Sequence, residues 1–390
     1  MPRIVLALML AAAAAAWPGL ARSGDALQRA FVEAMQQLRA GHPAEAERIL
    51  RAMLERTDSP RVKLELARAL YLEGRDVEAK ALFKEVSARS DTPWRVRDNI
   101  VPFVRSIEQR SGYLRFGVTV VSDSNPRSLP AQEEFAIGGL HVTPTEAPRK
   151  VTGLRYTVQG WKPFHRSPDA GAYLSASYAD YPGHQLDRLT ADLGLLKALS
   201  ASGRVRGKAG VEFGTFGGRR LYQFPYLALD AVLAQTSVAR LTGELKLGKV
   251  KFADFGYLDA SYLSASASLS KRLSATAAAS LSATLERSRA REEPYSYAGW
   301  RLGPGADLFR SGSLYLIGAR ASLGGRRYEA PDPLFGTRRA DTTTRLEISL
   351  GNKKWRWRDH LVAFVGSLER NRSNIGYYSY RKFNLSVVVE

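Results

Sequence analysis

From Tyr113 onward the chain switches between apolar and polar residues in steps of two. Between Val205 and Phe213 the odd positions are Val205, Gly207, Ala209, Val211 and Phe213, and the even ones are Arg206, Lys208, Gly210 and Glu212. The same alternation returns around Leu241, Leu263, Leu281 and Leu346, with turn residues in each gap. A period of two gives a strand two unlike faces. Fourteen such segments can be laid out, near 113–122, 151–161, 171–181, 186–199, 203–216, 221–235, 237–252, 256–272, 275–289, 296–309, 312–328, 340–355, 361–372 and 377–390. Most reach the roughly 9–11 residues that a tilted strand needs to cross a bilayer. No helical pattern separates them, which predicts a 14-stranded antiparallel transmembrane β-barrel with both of its ends on one side of the membrane.

The gaps support that layout. Ser200-Ala201-Ser202 and Leu273-Ser274 read as short periplasmic turns, and the Pro- and Gly-rich stretches 124–150, 291–295 and 329–338 read as outer loops. With the first strand rising from the periplasm, connections after odd strands lie outside, and all three long stretches follow odd strands. Aromatic residues gather towards strand ends: Tyr178 and Tyr181, Tyr222 and Phe224, Tyr295 and Tyr297, Trp355 and Trp357, then Tyr377, Tyr378 and Tyr380. They are expected to form girdles at the two membrane interfaces. The last segment alternates Phe383, Leu385, Val387 and Val389 with Lys382, Asn384, Ser386 and Val388, and should close the barrel against the first strand. A soluble sandwich or lipocalin-like barrel would need fewer long strands and an apolar interior.

Upstream the period changes to that of a helix. Gly41, Ala46 and Leu50 recur as Gly74, Ala79 and Phe83, each 33 residues later. The glycines stand where a tight turn joins two helices, and the alanines are small where those helices approach. Leu64, Ala67, Leu70 and Tyr71, then Val77, Leu82, Phe83 and Val86, supply the apolar stripes of the second unit. This resembles the tetratricopeptide repeat, whose unit is close to 34 residues, although no Trp opens the signature here. Two units call for a capping helix. Thr92-Pro93 offers an N-cap and a first-turn proline, followed by Val96, Ile100, Val104 and Ile107. Repeats of this kind mostly bind peptides or proteins; helix pairs that merely brace the barrel are the alternative.

The first residues carry a basic start, Met1 to Arg3, an apolar run from Ile4 to Ala16, and Gly19-Leu20-Ala21. They read as a secretory signal peptide over 1–21, since the run is too short for the roughly 20 residues of a spanning helix. The expected layout is therefore a signal peptide (1–21), a periplasmic tetratricopeptide-like helical domain (22–110) and an outer-membrane barrel (111–390).

Composition sharpens this picture. Lys and Arg number 57 against 38 Asp and Glu, a formal charge of +19. The charges form no block or nucleic-acid motif. Many alternate with apolar residues, as Arg240, Glu244 and Lys246 do, which suits a wet lumen or rims against anionic lipid and argues against a nucleic-acid partner. Absence of cysteine excludes disulfides, thiolate chemistry and an acylated cysteine terminus. The five histidines, His42, His141, His165, His184 and His360, show no ligand spacing. Gly243-x4-Gly248-Lys249 approaches a phosphate-binding loop, but Val250 replaces the required Ser or Thr and the segment alternates as a strand. No Gly-x-Ser-x-Gly elbow occurs, and the Asn371 and Asn384 sequons fall in strands. No enzyme activity, cofactor or metal is expected. Asp123-Ser124-Asn125-Pro126 reads as a turn directly after the first strand, without the further acids that calcium would need.

Taken in order, Val96-Arg97-x-x-Ile100, Ile107-Glu108-x-Arg110, a first strand, Asp123-Ser124-Asn125 and a closing Ser373-Asn374-Ile375 with Tyr378 and Tyr380 resemble the surface lipoprotein assembly modulator family. The resemblance covers nearly all the chain after the leader. It implies an outer-membrane translocon that moves particular proteins, lipoproteins or soluble cargo, from the periplasm to the cell surface. It also implies outer-membrane lipid and lipopolysaccharide around the barrel, and barrel assembly machinery for its insertion. Arg204, Arg206, Lys208, Arg240 and Lys246 would line a wet path favouring acidic cargo segments, if the lumen has a preference at all. A polysaccharide exporter would be expected to carry more repeats, and a diffusion porin none.

Overall fold

The computed structural model describes residues 21–389 apart from 90–91, 131, 133, 138–139, 145, 165–166, 275, 309–313 and 358–359. The expected leader lies outside the described residues except for Ala21. The chain divides into two compact units, Met1–Ile107 and Glu108–Glu390.

In the first unit, helices α1 (Ala21–Ala40), α2 (Pro43–Leu54), α3 (Pro60–Leu72) and α4 (Asp76–Ala88) pack in sequence, followed by α5, which starts at Trp94 and runs to Ser111. The repeat is legible in its turns. Gly41 and Gly74 adopt φ of +82° and +77°, a region that favours glycine. Behind them the His42 N–H donates to the Gln37 carbonyl and the Arg75 N–H to the Leu70 carbonyl, both at 2.9 Å, closing the same left-handed helix ending twice. Ala46 and Ala79 are fully buried with Leu50, Leu66, Leu70 and Phe83. Phe83 stacks on Phe103 at 5.2 Å, and Tyr71 meets the Phe103 ring edge-on at 5.2 Å. Arg75 ties the two repeats together, reaching Glu47 and Glu78 at 2.6 Å each. The Thr92 hydroxyl donates to the Val86 carbonyl at 2.5 Å. It thereby fastens the end of α4, and the first described backbone bonds of α5 run to the Pro93 carbonyl.

The second unit is the barrel. Its fourteen strands are β1 (Tyr113–Asp123), β4 (Val151–Phe164), β5 (Ser167–Asp180), β6 (Arg188–Ala198), β7 (Val205–Phe216), β8 (Arg219–Gln235), β9 (Ala239–Phe252), β10 (Ala260–Arg272), β11 (Ala277–Ala290), β12 (Tyr297–Leu308), β13 (Leu314–Pro331), β14 (Arg338–Trp357), β15 (His360–Ser373) and β16 (Tyr380–Val389). All pair antiparallel with their chain neighbours, and β1 closes on β16 through Thr119↔Val388 to Asp123↔Asn384. A short hairpin, β2 (Phe135–Ile137) with β3 (Leu140–Val142), forms inside the first long loop. Segments expected to begin at 256 and 377 begin instead with 3-10 turns, Gly256–Leu258 and Gly376–Tyr378. One barrel end holds the start of β1 and the finish of β16 (the terminal end); the other holds the loop 124–150 (the loop end).

Register shows that the period of two gives the wall two unlike faces. Leu195, Ala209, Leu227, Leu247 and Leu263 face each other strand to strand, as do Leu346, Leu368 and Phe383. These leucines and Phe383 are 43–57% exposed: they form the lipid wall. On the opposite face one row runs Arg240, Ser270, Ser280, Gly305, Arg320, Glu347, Ser367, Asn384, Asp123. No member is apolar beyond a glycine, so this row gives the inner wall a polar track from the terminal end to the loop end.

The aromatic girdle expected from the sequence needs correction. Tyr222, Phe224, Tyr297, Tyr378 and Tyr380 turn to the inner side. The Tyr222 hydroxyl donates to Glu212 at 2.7 Å, Phe224 lies under the Lys246 ammonium at 4.7 Å, and Arg326 stands 4.7 Å over Tyr297. Facing positive and carboxylate groups there gives these rings partners that lipid would not supply. Tyr156 and Tyr178, stacked at 6.5 Å, and Trp355 against Phe364 at 5.2 Å keep the outward company of exposed apolar residues.

Candidate functional site

The lumen wall has two chemically different zones. Towards the terminal end it is arginine and serine, with Arg206, Arg240 and Arg320 among Ser266, Ser268, Ser280 and Ser282. Nearer the loop end it is tyrosine with buried charge pairs. The Tyr226 hydroxyl donates to Asp192 at 2.8 Å and meets Tyr173 at 2.6 Å. Tyr262 donates to Glu286 at 3.1 Å, and Arg326 meets the same carboxylate at 2.8 Å. Arg339, paired with Asp341 at 2.7 Å, lies 3.5 Å over the Tyr378 ring and 4.7 Å over Tyr328. Each ring covers a charge whose partner is already in place, giving a rigid inner collar with few free groups.

The five basic residues expected to line the path separate on this wall. Lys208 reaches Asp230 at 2.9 Å and Glu244 at 3.5 Å, Arg206 reaches Asp230 at 3.5 Å, and Lys246 reaches Glu212 at 3.3 Å. Arg204, in the turn before β7, and Arg240, near the start of β9, make no ion pair among the described residues.

Both motif groups near the ends of the barrel sequence meet at the loop-end seam. The Ser124 N–H donates to the Phe383 carbonyl at 2.9 Å and its hydroxyl accepts from the Phe383 N–H at 2.7 Å. Asn125 is buried; its amide donates to the carbonyls of Leu129 (2.9 Å) and Arg381 (3.3 Å) and accepts from the Leu129 N–H at 2.8 Å. Asp123 accepts from the Asn125 N–H at 2.8 Å. Only an amide supplies donors and an acceptor from one planar head, which is why Asn stands there. Across the seam, Asn374 accepts from the Ala340 N–H at 2.7 Å and donates to the Arg338 carbonyl at 2.9 Å, clamping β14. The Ser373 hydroxyl accepts from the Ile375 N–H at 3.2 Å. The Tyr378 hydroxyl donates to Asp332 at 2.6 Å and that of Tyr380 to Glu369 at 2.9 Å. These residues are fasteners of the barrel mouth. Asn125→Ala should lower the barrel's stability by roughly 1–3 kcal/mol, because the backbone groups of Leu129 and Arg381 lose the buried amide that joins them. Heat-dependent gel mobility in detergent reads this, and an unmoved transition would show that the seam closes without the clasp.

Three residues that the sequence did not single out complete the mouth. Phe135 of the first long loop meets Tyr377 at 5.5 Å, and Phe335 of the β13–β14 loop meets Tyr377 at 5.7 Å and Tyr378 at 6.1 Å. The Pro126 carbonyl accepts from Arg188 at the start of β6. Three loops at this end of the barrel are thus joined through one aromatic cluster. Its only sequence signal was the paired Tyr377-Tyr378.

The β5–β6 turn carries a titratable hinge. His184, at φ +59°, donates to the Asp187 carboxylate at 3.0 Å and faces Asp180 at 3.4 Å. The hydrogen bond to Asp187, then the two negative charges, raise the imidazole above its ordinary value of about 6.5. Burial pushes the Asp187 carboxyl up, but hydrogen bonds from Tyr178, the Tyr181 N–H and His184 outweigh it and hold it low. A raised histidine stabilises the folded turn fully below its unfolded value and loses that contribution as pH rises through the folded one. Limited proteolysis within 181–187 should therefore run faster at pH 8 than at pH 5.5 after correction for protease activity, and His184→Gln should remove the difference.

Helical repeats ahead of a closed barrel, apolar outside and polar inside, define an outer-membrane β-barrel protein with a tetratricopeptide domain. A tetratricopeptide repeat model matches residues 37–93. The surface lipoprotein assembly modifier model matches residues 114–390, and the chain belongs to that outer-membrane family. Among solved structures, the chain is similar to an anion-selective porin from Comamonas acidovorans (11% identity, 72% of this chain and 98% of that one, TM-score 0.38). It is also similar to OprD from Pseudomonas aeruginosa (9%, 70% and 92%, TM-score 0.35) and to a bacterial polysaccharide outer membrane secretin (10%, 70% and 97%, TM-score 0.35). No curated protein matches the chain. Family and fold are those of a membrane translocon.

Proposed function

We propose that the barrel delivers specific proteins, surface lipoproteins or soluble secreted cargo, from the periplasm to the cell surface through its lumen. The supporting observation is the unbroken polar inner row from Arg240 to Asp123, which gives an extended polypeptide hydrogen-bonding partners along the full height of the wall. The helical repeats would lie in the periplasm and hold cargo before entry, in line with the binding role usual for such repeats. The leader would direct export, barrel assembly machinery would insert the strands, and the leucine wall would contact lipid and lipopolysaccharide. Folding of cargo outside would make passage one-way without nucleotide hydrolysis by this chain.

Co-expression with exported lipid-anchored or secreted proteins encoded beside it tests this. One of them should become protease-accessible on intact cells only when the barrel is present. Uptake of small sugars or export of polysaccharide, with no protein reaching the surface, would instead favour a diffusion or polysaccharide channel.

A further inference from the structure

Three arginines face the lumen at the terminal end of the barrel. Arg204, Arg206 and Arg240 line one recess of about 280 Å³. Its two carboxylates are Asp230 and Glu244. Both are in use, since Lys208 bridges them at 2.9 and 3.5 Å and Arg206 meets Asp230 at 3.5 Å. Lys208 and Arg206 thus balance Asp230 and Glu244. Two positive charges, on Arg204 and Arg240, are left over with no ion pair among the described residues.

Register surrounds them with further donors. Arg206, Asp230, Glu244 and Ser266 share one row, Thr242 and Ser268 the next, and Arg240 and Ser270 the one after. A guanidinium carries five N–H donors and no acceptor, and hydroxyls can donate too. With both carboxylates already paired, the recess has charged donors to spare. Ser268 also lines the neighbouring recess with Arg320 and Arg345, so the surface continues along the wall rather than ending in a closed cup.

We propose that this recess is a carboxylate-binding subsite that takes an extended acidic peptide segment as it enters the lumen. The inference rests on the translocation reading and gives it a substrate class. The two free cations are Arg204, just before the start of β7, and Arg240 of β9, with β8 between them, so their backbones stand about 10 Å apart. Alternate side chains of an extended chain stand about 7 Å apart on one face. Two carboxylates on one such chain match this spread-out pair, whereas a single phosphate would call for cations converging on one point. Exposed pairs of this kind are individually weak, so affinity comes from several carboxylates on one chain. That suits a path that must hold cargo and then release it.

The full-length protein in planar bilayers supplies the test, with a ten-residue polyglutamate peptide added to each side in turn and ion current recorded. Polyglutamate should block from the terminal end, and Arg204→Glu with Arg240→Glu should raise the half-blocking concentration at least tenfold. The milder Arg204→Gln with Arg240→Gln, which leaves fold and wall charge nearer the original, should raise it about threefold. Unchanged block in both double variants would overturn the proposal. So would inorganic phosphate displacing the peptide at millimolar levels, which would make this a phosphate site. Because no transport is scored, arginine-dependent block with no surface delivery of any protein would sink the translocation reading alone. Normal delivery with arginine-independent block would sink only this subsite.

Discussion

Phe83→Ala should strongly destabilise the helical unit while leaving the barrel intact. Phe83 is wholly buried at the centre of the repeat core, stacked on Phe103 at 5.2 Å. Truncating such a ring removes burial and ring contacts and leaves a cavity, at a total cost of about 3–5 kcal/mol. A small domain has only about 5–15 kcal/mol in total. In the full-length protein, the helical circular-dichroism transition should fall by at least roughly 12 °C, given 4–8 °C per kcal/mol for a unit of this size. Heat-modifiable migration of the barrel should not move. Val77→Ala, on the same helix but 83% exposed, should stay within about 0.5 kcal/mol. Equal effects of the two substitutions would mean that the helical core is not organised around Phe83.

Leu346→Arg carries the second large effect. Leu346 lies on the lipid wall between Ala321 and Leu368 and is 50% exposed. An arginine there must leave its charge in hydrocarbon or drag water in, costing about 2–4 kcal/mol near the midplane. Ser282→Arg, one residue beyond the outward Leu281, enters the wet lumen and should cost much less. Urea unfolding from lipid vesicles compares them directly. Similar losses for both would overturn the assignment of the two faces.

Much of this was readable beforehand because a barrel wall repeats one rule. Fourteen alternating segments gave the strand number, and the apolar positions Leu227, Leu247 and Leu263 have the outward face the alternation implies. The repeat glycines were equally legible, since few other residues tolerate φ near +80°. The aromatic sidedness was misread although a signal existed: Phe224 and Tyr226 share parity with Asp230, not with Leu227. Tyr378 offered no such clue, because it sits in a 3-10 turn where parity does not apply. The three-residue strands β2 and β3 are too short to show a period. Which lysine meets which carboxylate depends on register between strands, and register is a property of pairs of segments. Lys208 and Lys246 therefore looked as free as Arg204 and Arg240 until their neighbours were in place.

The central claim, that cargo passes along the inner wall, is tested most directly by site-specific photocrosslinking on β10. A photoreactive residue replacing Ser268 points into the lumen, and one replacing Leu269, its neighbour in the chain, points to lipid. During surface delivery of a co-expressed cargo protein, the inner position should yield a cargo adduct and the outer position none. Cargo adducts at Leu269 and not at Ser268 would place the route outside the barrel and contradict the account.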